Sequence, residues 1–408
     1  IVGGGGAIKI PEPGYYLIVD NIDIKEGDFY HAYNSFLLVN DTHQGEYNVI
    51  INHKVVKPTV EKKVYDNDNN DIGSTGGWGS SADHAINEKF QFQLIAKLPA
   101  SKDNGRAYDY YDKYTVCFND TLSAGITFDN LDTVKIANVD GGDSKEITNY
   151  KFDDTDLHEA GHPTSFKLSI DDVKTCAAAA GLNLNDGATI TVTYTAHLND
   201  KATVNTANGS NTTDNKNSVF LQYSNNPRID TSLDHTTTSD VCVYTYQLNN
   251  TKRQNTEDGP VLEGAGFRLY SDEACNDAQE IKLKKNTDGT YSPYFGADAG
   301  VEMFSDKDGK FNVKGLDAGT YYLKETTPPT GYSACDKTKI VISATHDEHN
   351  VNLSGESNLN NKIINKKAGG ITLPSTGGIG TTIFYVVGGG LMVAAIVLLV
   401  TKKRMENK

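Results

Sequence analysis

Apolar and polar residues alternate with a period of two along much of this chain. Phe90, Phe92, Leu94, Ala96 and Leu98 share one parity, and Lys89, Gln91 and Gln93 take the other; this is the pattern of a strand with one buried face. SFKLSI (165–170) repeats it with Phe166, Leu168 and Ile170. So does ATITVTYTAHL (188–198), where Ile190, Val192, Tyr194 and Ala196 oppose a row of threonines, as in a half-buried antiparallel strand. PGYYLIVD (13–20), SFLLV (35–39) and YNVII (47–51) read as the last strands of a preceding unit, and VKTCAAAAG (173–181) as one short helix. The polar, turn-rich stretch 225–240 reads as a linker. Beyond it CVYTYQL (242–248), AGFRLY (265–270), the hairpin turn DKDGK (306–310) and KFNVKGLDAGTYYLKET (310–326) outline a second β unit. The expectation is an all-β chain: the end of one domain at 1–54, a domain at 55–230 and another at 241–367.

The same parity rule sends several charged and amide side chains inward. In PTVEKKVY (58–65), Val60, Lys62 and Val64 are in phase; in NSVFLQYS (217–224), Asn217, Val219, Leu221 and Tyr223 are. Glu88 has the parity of Phe90 and faces the core if that strand extends back to it. Farther on, Tyr244, Tyr246, Leu248 and Lys252 are in phase, as are Tyr321, Leu323 and Glu325, and Ile363 and Asn365. A buried ammonium or carboxylate is costly unless neutralised or paired, and burial lowers a lysine pKa while raising a glutamate pKa. That combination suits one reaction. A neutral amine attacks a carboxamide while a buried acid polarises it and passes protons to the departing ammonia. The product is a Lys–Asn amide bond, made once.

The C-terminal end reads LPSTG (373–377), then an uncharged, mostly apolar run from Ile383 to Val400, then Lys402, Lys403 and Arg404. As a helix that run would span roughly 27 Å, close to the bilayer core, with the basic cluster on the cytoplasmic side. Pro374 disfavours helix at Leu373, and Gly377 lets a catalytic thiol approach the backbone closely. Pentapeptide, apolar span and basic tail, in this order, resemble the sortase cell-wall sorting signal of Gram-positive bacteria. The resemblance implies recognition of Leu373, Pro374, Ser375, Thr376 and Gly377 by sortase, cleavage between Thr376 and Gly377, transient membrane anchorage and linkage to peptidoglycan at the cell surface.

YYLKETTPPTGY (321–332) matches the E-box of Gram-positive pilin domains of the collagen-adhesin B type, and PVLEGAGFRLY (260–270) resembles their opening. KPTVEKKV (57–64), KYTVCFNDTLSAGITF (113–128) and SVFLQYSNNP (218–227) are similar to the middle domain of backbone pilins. The resemblance implies tandem immunoglobulin-like β-sandwiches ahead of the C-terminal transmembrane helix. It implies two isopeptide triads, Lys62–Glu88–Asn217 and Lys252–Glu325–Asn365, with the glutamates as single-turnover acids rather than parts of an enzyme. VIINHK (49–54) stands where such pilins carry V-x-V-Y-P-K, which points to Lys54 as the lysine joined to the next subunit, with Lys57 as the near alternative. The implied function is a structural subunit of a covalently polymerised pilus; the rival is a singly anchored adhesin with a host surface ligand.

Composition narrows the remainder. A net charge of −15 and a pI near 5.1 argue against a phosphate-tracking nucleic-acid role. Five cysteines without CxxC spacing argue against structural zinc. Cys275 and Cys335 fall within the same C-terminal unit as candidates for a pair, but spacing alone does not decide it. HEAGH (158–162) matches a zinc-protease pattern but has Gly161 inside it and Pro163 after it, which excludes the helix that chemistry needs. DNDNNDIG (66–73) lacks the glutamate of a calcium loop, Gly77 standing at the twelfth position. The sequon-like triplets of 208–217 need no role. No charged-then-apolar leader follows Ile1. No metal and no cofactor is expected.

Overall fold

The computed structural model describes the backbone strands Gly14–Ile18 and Ser35–Val39, which pair antiparallel, and residues 57–368 apart from the short stretches 68–75, 101–107, 109–110, 140–143, 159–162, 186, 207–214 and 227–228. YNVII, Lys54, the core of HEAGH, most of the acidic loop after Asp66, the sequon-like triplets and the entire sorting signal lie outside the described residues. Among the described residues, no helix is long and apolar enough to cross a membrane.

The first sandwich faces two sheets on each other. One runs, in spatial order, Gly77–Gly79, Thr59–Asp66, Lys89–Lys97, Thr189–Leu198, Ile126–Ala137 and Lys145–Glu146. The other runs Lys151–Asp153, Thr164–Ile170, Val116–Leu122, Lys216–Ser224, Ser239–Tyr244 and Ser81–Asp83, with Leu233–His235 also paired to Lys216–Ser224. The expected inward rows are buried: Phe90, Phe92, Leu94 and Ala96 from one sheet, Phe166, Leu168 and Ile170 from the other. They meet through aromatic contacts such as Phe166 edge-on to Tyr194 at 5.3 Å between centroids.

The expected helix forms at Val173–Ala179, and Asp172 caps it by accepting from Lys174 and Thr175 N–H groups, both at 3.3 Å. The stretch 225–240, expected as a linker, instead adds Leu233–His235 and the start of Ser239–Tyr244 to the first sandwich. After Thr245 the chain enters the second sandwich directly. Its Tyr246–Gln254 strand lies between Val313–Leu316 and Asn360–Asn365, in a sheet completed by Leu283–Lys285 and Tyr291–Pro293. Opposite lies the sheet Met303–Phe304, Gly266–Tyr270, Gly319–Thr327 and Thr338–Ile342. Phe267 and Phe311 stack at 4.3 Å in its core. The fold is therefore mostly β, as the alternation predicts, and its tandem sandwiches are those the resemblance implies.

Candidate functional site

In the second sandwich three of the expected residues converge. Burial alternates strictly from Tyr246 to Arg253, so the phase carries from Leu248 through Asn250 to Lys252. Lys252 is fully buried, and its parallel partner strand sets Gln254 opposite Asn365. The two side chains are thus diagonal neighbours on one face. Lys252 Nζ donates to Asn365 Oδ1 at 2.5 Å. Asn365 Nδ2 donates to Glu325 Oε1 at 2.7 Å, and that oxygen lies 3.8 Å from the lysine nitrogen. Glu325 comes from the facing sheet; the Cys335 backbone N–H holds its Oε2 at 2.7 Å. Tyr332, the last residue of YYLKETTPPTGY, donates to Gln254 Oε1 at 2.7 Å and ties that loop to the lysine strand. Phe267 lies beneath the amine, 5.5 Å from ring centroid to Nζ. Desolvation by burial lowers the Lys252 pKa, opposed by Cys335 and Glu325.

In the first sandwich two of the expected three converge. Lys62 and Asn217 are both buried, as parity predicts, on strands of the two opposed sheets. The carboxylate with them is Asp120, on Val116–Leu122, the neighbour of the asparagine strand. It makes a direct, very close contact to Lys62 Nζ, with both side chains out of solvent. The Tyr194 hydroxyl is shared by all three: Lys62 Nζ donates to it at 3.2 Å, Asn217 Nδ2 donates to it at 2.5 Å, and it donates to Asp120 Oδ1 at 3.2 Å. Asn217 Oδ1 is buried with no hydrogen-bond partner among the described residues.

Burial shifts both partners of this pair toward their uncharged forms. Burial lowers the Lys62 amine from 10.5 to about 8 against the opposing pull of Asp120, which makes free amine roughly 300-fold more abundant at neutral pH. Burial raises the Asp120 carboxyl, with Lys62 pulling it back, and raises the Tyr194 hydroxyl as well.

Glu88 does not join this group. The strand begins at Lys89, and Asn87, in the left-handed region at φ 66°, breaks the phase ahead of it. Its carboxylate instead accepts from the Ala85 N–H at 3.0 Å and from Asn67 Nδ2 at 2.6 Å. Desolvation would raise its pKa, but His84 and these hydrogen bonds outweigh it and hold the pKa below 4.5. That is the wrong direction for an acid kept neutral. Asp120 was legible by the same rule: Val116, Phe118, Asp120 and Leu122 share one parity. Tyr194 stood in a row read only as core. Cys275 and Cys335 are free thiols, as are the other three cysteines.

Residues 247–358 match the SpaA family, described as a prealbumin-like fold domain, and residues 365–407 match the LPXTG cell wall anchor motif. The chain is thus similar to a SpaA domain over one segment and to a Gram-positive cell wall anchor over the next. Its place is accordingly the cell wall surface. No curated protein matches the chain. Among solved structures, it resembles the 35 kDa C-terminal fragment of the major pilin GBS80 of Streptococcus agalactiae. The identity is 18% and the TM-score 0.52, over 76% of this chain and 99% of that one. The group B streptococcus pilus 2b backbone protein is 21% identical, with a TM-score of 0.48 over 72% of this chain and 97% of that one. The full-length major pilin SpaD of Corynebacterium diphtheriae is 20% identical, with a TM-score of 0.46 over 77% of this chain and 66% of that one. The first of these likenesses shows a shared fold.

Proposed function

We propose that this chain is a structural subunit of a covalently polymerised surface pilus, its sandwiches locked by Lys62–Asn217 and Lys252–Asn365 isopeptide bonds. The observation that carries the proposal is the buried contact of Lys252 Nζ with the Asn365 carboxamide, with Glu325 on the amide nitrogen. The neutral Lys252 amine attacks Asn365 Cγ and forms the new C–N bond. Glu325 takes the proton shed by Nζ and delivers it to Nδ2; the old C–N bond breaks and ammonia leaves. Atoms balance: amine plus carboxamide gives secondary amide plus ammonia. In the first sandwich Asp120 takes the acid's part and Tyr194 orients both reactants. Each acid turns over once, so the chain is no enzyme in the ordinary sense.

Sortase would cleave after Thr376 and pass that acyl group to a lysine, either Lys54 on a neighbouring subunit or the cell-wall precursor. The membrane span serves only before that step. The test is the size distribution of cell-wall extracts. Wild type gives high-mass ladders, and Lys54→Ala collapses them to a monomer still attached to the wall. A wild type that runs as monomer alone favours a singly anchored adhesin with a host ligand; ladders that persist in the variant move the linkage to another lysine such as Lys57.

A further inference from the structure

The joint between the two sandwiches holds a cluster that crosslinking does not use. His84 is fully buried and stacked on Phe90, with ring centroids 4.1 Å apart. Its Nε2 lies 2.8 Å from the Tyr65 carbonyl. A carbonyl only accepts, so Nε2 carries a proton; in the neutral imidazole that leaves Nδ1 its lone pair. Nδ1 is buried and has no hydrogen-bond partner among the described residues. It points toward two carboxylates: Glu88, with Oε2 at 3.9 Å, and Asp317, in the turn between Val313–Leu316 and Gly319–Thr327 of the second sandwich. One ligand atom from each of His84, Glu88 and Asp317 lies within 4.8 Å of the others.

The surroundings hold these three groups in place. Ile86 N–H donates to the Gly315 carbonyl across the joint at 2.9 Å. Gly315 sits at φ 83°, and a Cβ there would lie 2.4 Å from Ile86 side-chain atoms, so the close approach needs glycine. Asn67 holds one oxygen of Glu88, and the Ala318 N–H holds Asp317 Oδ1 at 3.0 Å. An imidazole whose far nitrogen is fixed by a carbonyl, beside carboxylates that are themselves hydrogen-bonded, is the outer-shell pattern of a metal ligand set.

We propose that His84, Glu88 and Asp317 bind a divalent metal ion of the zinc class that clamps the two sandwiches together. An imidazole with two carboxylates suits zinc, whereas calcium takes oxygen ligands. Two ligands come from the first sandwich and one from the second, so neither completes the site alone. A second trio, Asp66, Asp83 and His346, also draws on both sandwiches, with ligand atoms within 4.8 Å, and it serves as the internal comparison.

The test uses the full chain in detergent, stripped with chelator, titrated with zinc chloride alone and dialysed before metal analysis. Wild type retains zinc; His84→Ala and Asp317→Asn each retain one equivalent less, while Asp66→Asn keeps the equivalent that Asp317→Asn loses. Because His84→Ala disturbs a buried stack, Asp317→Asn at a half-buried turn carries the decision, with its metal-free melting curve matching wild type. Zinc should raise the melting temperature of wild type more than that of Asp317→Asn. A wild type that retains no zinc, an Asp317→Asn chain that retains as much as wild type, or calcium bound as well as zinc would overturn the proposal.

Discussion

Asp120→Ala separates the two possible acids of the first sandwich. Asp120 touches the Lys62 amine inside the core, whereas Glu88 lies beside His84 and Asn67. The account predicts that Asp120→Ala leaves Lys62 and Asn217 unjoined and that Glu88→Ala leaves the bond intact. The proposed bond would close 217 − 62 = 155 residues; treated like a disulfide loop, that would be worth about 5 kcal/mol. For a domain of this size it corresponds to a melting temperature about 10–20 °C higher. Asn217→Ala supplies the reference, since it removes the bond but keeps the Lys62–Asp120 pair. Asp120→Ala should melt no higher than that reference, because it also strands a desolvated amine. The assay is the intact mass of the folded full chain together with its thermal unfolding. Wild type and Glu88→Ala should lack two ammonias relative to the translated sequence, and Asp120→Ala only one. An Asp120→Ala chain with the full deficit, or a Glu88→Ala chain short of only one ammonia, would refute the assignment.

Three further outcomes follow from the same geometry. Tyr194→Phe removes the hydroxyl shared by Lys62, Asp120 and Asn217, and ammonia loss after refolding should slow by about 10- to 100-fold, an effect of about 1–3 kcal/mol, while the final mass is unchanged. Gly315→Ala forces a side chain against Ile86 at positive φ and should cost about 1–3 kcal/mol in thermal unfolding. Asp172→Ala removes the helix cap and should cost about 1 kcal/mol. Against its desolvation, hydrogen bonds from Thr175, Tyr114 and Lys174 hold the Asp172 pKa below 3.8. Its contribution is therefore complete above that pH and fades as pH falls through the folded value, so the gap between wild type and variant should close in acid.

Alternation carried most of the architecture because a half-buried strand forces period two on its side chains. It put Lys62, Asn217, Lys252, Glu325 and Asn365 inside, and all five are buried. It failed at Glu88 because parity says nothing once a strand has ended, and the left-handed Asn87 ends this one. Asp120 obeyed the rule in a run, VCFNDTL, whose polar letters hide the pattern: Cys117 and Asn119 are buried as well, so both faces of that strand are covered. The polarity of 225–240 suggested a linker, yet Thr236 Oγ1 accepts from the Leu221 N–H at 3.1 Å and its own N–H reaches the Leu221 carbonyl at 2.9 Å, so polar groups complete the ladder there. The metal trio could not be read from sequence, since Asp317 meets His84 only through the docking of two sandwiches.

The two bonds would give a pilus its tensile strength: force applied through the bonded strands meets an amide before it can unravel the sandwich. Peptide mapping by tandem mass spectrometry of the protease-digested wild-type chain tests this most directly. The account predicts branched peptides in which the segment holding Lys62 is joined to that holding Asn217, and the segment holding Lys252 to that holding Asn365, each short of one ammonia. Linear peptides alone, with both lysines and both asparagines unmodified, would contradict it.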